Sequence, residues 1–138
     1  MTIQEIESQI IDEFAQFEEW LDKYAYIIEL GRECPAIDEA DKTESNLIQG
    51  CQSRVWLSCR HEEGKLYFRA DSDAVITKGI ITLLIRVLDG QKPADILAAD
   101  LGFLDQIGLK EHLSPTRSNG LTAMVKQMKL YALAFSMK

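Results

Sequence analysis

Apolar residues recur at steps of three and four from the start of the chain. Ile3, Ile6, Ile10, Phe14, Phe17, Leu21, Tyr24 and Ile28 form one stripe. That period places them on one face of a helix that needs a core. Thr2 and Glu5 have capping-box spacing, and Gly31 stands where the helix would stop. A stripe this long predicts either a bend near Glu18 and Glu19 or a second helix. Residues 32–45 carry Pro35 and no period, the mark of an ordered surface connection. The period then changes to two. Val55, Leu57 and Cys59 alternate with Trp56, Ser58 and Arg60, and Leu66, Phe68 and Ala70 alternate within residues 65–71. With Glu62-Glu63-Gly64 between them, the two segments read as a β-hairpin. Leu47 and Ile48 can add a short strand ahead of it.

Ser72-Asp73 signals an N-cap for a helix over 74–88, ending at Gly90. That helix is apolar on nearly every side, so it belongs at the centre. Pro93 opens a short helix through Ala99, and Gly102 and Gly108 punctuate a loop that turns Phe103, Leu104 and Ile107 inward. Ser114-Pro115 supplies a cap and a first-turn proline for a long C-terminal helix. Its packing residues are Leu121, Met124, Val125, Met128, Tyr131, Leu133 and Phe135. Long N- and C-terminal helices bracketing a hairpin predict an α+β fold, a two-layer domain with a small antiparallel sheet. With no repeat, linker or low-complexity tract, residues 1–138 read as a single domain.

A chain of 138 residues, 46% hydrophobic and 27% charged, has the mixture of a soluble protein. The net charge of −7 argues against nucleic acid and suits a partner that presents Lys or Arg. The longest apolar run is interrupted by Arg86 and falls short of a membrane span. Glu5, Glu7, Asp12 and Glu13 stand where a secretory leader would need an apolar stretch. The expectation is a cytoplasmic protein whose three cysteines are reduced.

Cys51 sits in Gln49-Gly50-Cys51-Gln52-Ser53, a polar stretch ahead of the first strand. Gly50 allows a sharp turn, and Gln52 and Ser53 can donate hydrogen bonds to sulfur. The setting fits a reactive thiol, since reactivity follows access and thiolate fraction; it equally fits a turn cysteine of no consequence. Cys59 shares a face with Val55 and Leu57 and is expected in the core. Cys34, before Pro35, is either exposed or tucked against the end of the first helix. No C-x-x-C spacing supports a metal site. A Cys–His hydrolase needs a histidine beside Cys51. His61 lies at the far end of the strand, roughly 20 Å or more away, and His112 is not placed by the pattern. No phosphate-binding glycine motif occurs. Arg117, in the first turn of the last helix, opposes the helix dipole, so either a tertiary partner or ligand explains it or it is simply exposed.

Gly50-Cys51-Gln52-Ser53-Arg54-Val55-Trp56 resembles the G-C-Q-S-x-V-W signature of the SufE family, which includes its CsdE relatives. Tyr26 to Gly31, Asp71-Ser72-Asp73-Ala74 with Lys78-Gly79, and Leu113 to Leu121 agree with it in order and spacing. The resemblance implies an α+β fold shared with IscU-type scaffolds. It also implies a sulfur acceptor that takes persulfide sulfur onto Cys51 from a pyridoxal-phosphate (PLP)-dependent cysteine desulfurase of the SufS or CsdA kind. Such a protein stimulates the desulfurase and delivers sulfur to an iron–sulfur scaffold complex of the SufBCD kind. Gly50, Gln52, Ser53, Asp73 and Arg117 then support the loop or the docking of the partner. The expectation is no cofactor and no metal in this chain, no nucleic acid, no membrane, and a monomer or homodimer. The alternative is an IscU-type scaffold for clusters or zinc, which would need more ligands near Cys51.

Overall fold

The computed structural model describes residues 1–137. The N-terminal stripe is two helices, α1 (Ile3–Ala15) and α2 (Trp20–Gly31). The capping box closes α1: Thr2 N–H donates to Glu5 Oε1 at 3.0 Å, and Glu5 N–H to Thr2 Oγ1 at 3.1 Å. The break after α1 resets the phase of the stripe. Ile27 and Gly31 become the buried positions of α2, and Leu21, expected to pack, is 80% exposed. α2 does end at Gly31, with Arg32 as the C-cap at φ −68°. Gly31 is needed for contact. It faces Gly79 of α3 (Val75–Leu88), where a Cβ would stand 2.1 Å from the Ile27 carbonyl oxygen. The two helices thus meet backbone to backbone.

The hairpin pairs β1 (Val55–Glu62) with β2 (Lys65–Ser72) in register from Val55↔Ser72 to Glu62↔Lys65. Glu63 and Gly64 turn it with φ of +52° and +79°, as a two-residue hairpin requires. The far edge of β2 is covered. Ala70 N–H donates to the Pro35 carbonyl at 2.9 Å, Leu66 N–H to that of Gln91 at 3.0 Å, and Phe68 N–H to Asp89 Oδ1 at 2.7 Å. Leu47 and Ile48 give one bridge to Trp56 rather than a strand.

Ten of the fourteen residues of α3 are buried, and it contacts both β2 and α2. Arg86, the cation in its apolar run, is held by Glu13 of α1 at 2.7 and 2.5 Å, and the Tyr26 hydroxyl donates to the same carboxylate. That cluster pins three helices together. The expected Ser72-Asp73 cap does not form. β2 runs through Ser72, Ala74 is the N-cap, and no side chain caps α3. Short helices α4 (Pro93–Ala98) and α5 (Phe103–Gln106) lead to α6 (Pro115–Ser136). Phe103, Leu104 and Ile107 are buried as expected. Leu121, Met124 and Met128 bury α6, but Leu133 is 46% exposed because the inward position is its neighbour Ala132. The result is an α+β fold, with one buried cluster joining the inner face of the hairpin to the helices.

Candidate functional site

Gly50 turns the chain with φ +94°, a conformation that L side chains rarely adopt. That turn delivers Cys51 to the flank of α6. The thiol is half-buried, and its Sγ lies 3.6 Å from the Gly120 carbonyl oxygen, the acceptor for the S–H. Gly120 faces the thiol without crowding it: a Cβ there would stand 3.4 Å from Sγ, an ordinary contact. Beside Cys51 opens a cavity of about 370 Å³. Gln52 and Ser53 line it from the loop, and Ser114, Thr116 and Arg117 from the start of α6. Thr77 and Ile80 of α3 form the facing wall. Burial pushes the Cys51 thiol above its ordinary range, so the resting group is the uncharged thiol.

Asp73 acts one step behind the cavity. Its Oδ1 accepts from Arg54 N–H at 3.1 Å, and its own N–H donates to the Arg54 carbonyl at 3.3 Å. This clamp fixes the backbone where the Cys51 loop becomes β1. Ser114 caps α6 by accepting from Arg117 N–H at 3.3 Å. The Arg117 side chain is exposed and makes no ion pair among the described residues. The structure therefore gives Arg117 no tertiary partner and places it at the cavity instead. Four of the expected residues (Cys51, Gln52, Ser53 and Arg117) meet in one space, Gly50 bends the chain into it, and Asp73 anchors the loop.

The other thiols are held by the sheet. Cys34 is tucked against β2, its Sγ 3.5 Å from the Ala70 carbonyl oxygen, and burial raises it. Cys59 departs from expectation. It is half-buried on the wall of a second cavity of about 550 Å³, because β1 runs beyond the core before the hairpin turns. Burial, and then the charge of Asp89, push it up to about 12. His112 stacks on Trp20 at 4.0 Å, with Nδ1 2.9 Å from the Gly108 carbonyl oxygen. His61 is exposed against Phe135. Neither histidine lines the Cys51 cavity, so a Cys–His pair is not formed there. Among the described residues no three His, Cys, Asp or Glu side chains converge as metal ligands, and no helix is long and apolar enough to cross a membrane. Thr77 and Gly120 were not singled out in the sequence. Gly120 left a signal, a glycine inside a helical pattern; Thr77 left none.

Residues 8–132 match the family described as SufE, an Fe-S metabolism associated domain. The chain belongs to the SufE family. An uncharacterized SufE-like protein of Rhizobium meliloti (strain 1021) is 40% identical over 126 residues, covering 88% of this chain and 90% of that relative. The solution structure of a hypothetical protein from Thermus thermophilus superposes with a TM-score of 0.80 at 21% identity. The match covers 96% of this chain and 97% of that one, and supports the fold alone. As a SufE-family member this chain has its place in iron–sulfur metabolism, with a cysteine desulfurase as the family's partner.

Proposed function

We propose that Cys51 is the sulfur-accepting residue of a carrier that serves iron–sulfur cluster assembly. It takes persulfide sulfur from a PLP-dependent cysteine desulfurase, stimulating that enzyme, and passes the sulfur to a scaffold complex. The observation that carries this reading is the setting of Cys51. Gly50 turns its loop so that the thiol borders a polar cavity at the start of α6, whereas Cys34 is packed against β2 and Cys59 lies within β1. In the transfer the Cys51 thiolate attacks the outer sulfur of the donor's persulfide, and the donor cysteine leaves as a thiolate. At rest the thiol is protonated and half-covered, so it is guarded against oxidation and stray thiols. Docking of the partner then has to open the loop, with Gly50 as the hinge and Asp73 as the fixed end. Arg117, an exposed cation beside the site, is the docking group that suits an acidic partner surface.

Incubation with a cysteine desulfurase and labelled cysteine, without reductant, tests the reading. The expected product carries one added sulfur on Cys51 by peptide mass spectrometry, and Cys51→Ser carries none. Sulfur mapped to Cys34 or Cys59 instead would overturn it.

A further inference from the structure

The cavity beside Cys51 holds hydrogen-bond donors that the resting thiol does not use. Thr77 is 8% exposed, yet its hydroxyl makes no hydrogen bond to any described residue. No fully buried side-chain oxygen or nitrogen lacks a partner among the described residues, so this hydroxyl is open to the cavity that Thr77 lines. A helical threonine commonly returns its hydroxyl to the carbonyl four residues back. Thr82 does so to Lys78 at 2.7 Å, and Thr122 to Ser118 at 3.2 Å. Thr77 keeps its hydroxyl for the cavity.

The surroundings have one electrostatic sense. Thr77 lies in the first turn of α3, a helix with no side-chain cap, and Asp73 just ahead of it accepts from Arg54 N–H rather than from the helix. Thr116 and Arg117 bring the first turn of α6 to the same space. Among the described residues Arg117 is the only charged one lining the cavity, and no carboxylate lines it. Two helix N-termini, a guanidinium and the unpartnered hydroxyl of a largely buried threonine form a surrounding suited to an anion.

We propose that this cavity is the binding site for the persulfide anion formed on Cys51, with the Thr77 hydroxyl as its side-chain donor. The proposal rests on the sulfur-carrier reading and specifies how the cargo is held. On transfer, a bond forms between Cys51 Sγ and the donor's outer sulfur as the donor's S–S bond breaks. Cys51 gives its S–H proton to solvent before the attack, the donor cysteine leaves as thiolate, and the new persulfide then gives up the proton on its outer sulfur; no net oxidation occurs. The added sulfur extends the side chain by about 2.05 Å. Thus the site holds the free thiol neutral against the Gly120 carbonyl and the loaded form as an anion among donors.

Cys51 is loaded with inorganic polysulfide, its occupancy is verified by mass spectrometry, and the persulfide is titrated by its near-ultraviolet absorption. A charge-assisted hydrogen bond predicts a midpoint about one unit higher in Thr77→Val, a tenfold loss of anion stability. Thr77→Ser, which keeps the hydroxyl, titrates as wild type. A wild-type midpoint in Thr77→Val overturns the proposal, as does an equal rise in Thr77→Ser. Wild-type protein gives a second reading that needs no substitution. Its persulfide should titrate lower when folded than in guanidinium, and an equal or higher midpoint when folded overturns the pocket. Loading by polysulfide bypasses the desulfurase. Normal titration with no uptake from a desulfurase therefore keeps the anion pocket and rejects the carrier role.

Discussion

Gly79→Ala should cost this protein more than its size suggests. Replacing an interior helical glycine by alanine ordinarily gains about 1 kcal/mol. At Gly79 the new Cβ would stand 2.1 Å from the Ile27 carbonyl oxygen, 2.6 Å from Ile27 Cγ2 and 2.7 Å from the Ile27 carbonyl carbon. Two of those atoms are backbone, so no rotamer change relieves the clash, and α2 must move away from α3. Overpacking a well-filled interior costs roughly 1–3 kcal/mol, occasionally more. A rigid obstacle puts this case at the upper end, and the net loss is about 2 kcal/mol after the helical gain. Urea unfolding measures it. With a slope of about 1–3 kcal/mol per molar, the midpoint should fall by about 1 M. Gly120→Ala is the control, because its Cβ would meet only Cys51, with Sγ at 3.4 Å, and it should be as stable as wild type or better. If Gly79→Ala unfolds at the wild-type midpoint, the close backbone contact between α2 and α3 is wrong.

Gly50→Ala must hold a φ near +94° and set its Cβ 3.3 Å from that of Ala123. It should lose about 1–2 kcal/mol in urea melts and take up sulfur from a desulfurase more slowly. The Glu13 carboxyl is held below the usual 4.5, chiefly by its hydrogen bonds from Arg86. A depressed carboxyl contributes stability that is full above the unfolded value and is lost as pH falls through the folded one. Glu13→Gln should therefore lose on the order of 1 kcal/mol near neutrality, as for a partly solvated pair, and show a flatter acid limb in melts against pH. Alkylation at neutral pH, followed by peptide mapping, should leave Cys59 among the slowest thiols, because its proton is held up to about 12. Rapid labelling of Cys59 would contradict its burial beside Asp89.

What the sequence disclosed, and what it hid, follows from the range of each interaction. The capping box at Thr2, the Glu63-Gly64 turn, the Ser114-Pro115 start of α6 and the buried α3 all depend on neighbours within a few residues, and each formed. Leu21 failed because periodicity assumes a continuous helix, and four residues outside one suffice to rotate the stripe. Asp73 failed as a cap because Arg54 N–H, nineteen positions away, offered its carboxylate a better-placed donor at 3.1 Å. Cys59 alternates correctly, but alternation gives the face and not the extent of the core; β1 outlasts the layer that covers it. Gly31 ends α2 as expected, and with Gly79 it also serves a helix crossing that nothing local announces. The site divides the same way. Cys51 was visible because its turn is local, whereas the cavity beside it is assembled by folding. It joins residue 51 to residues 77 and 114–124, and nothing near Thr77 in the chain marks its hydroxyl as lacking a partner. A functional thiol can thus be legible by composition and spacing while the groups that set its chemistry are not, since they share only a destination in space.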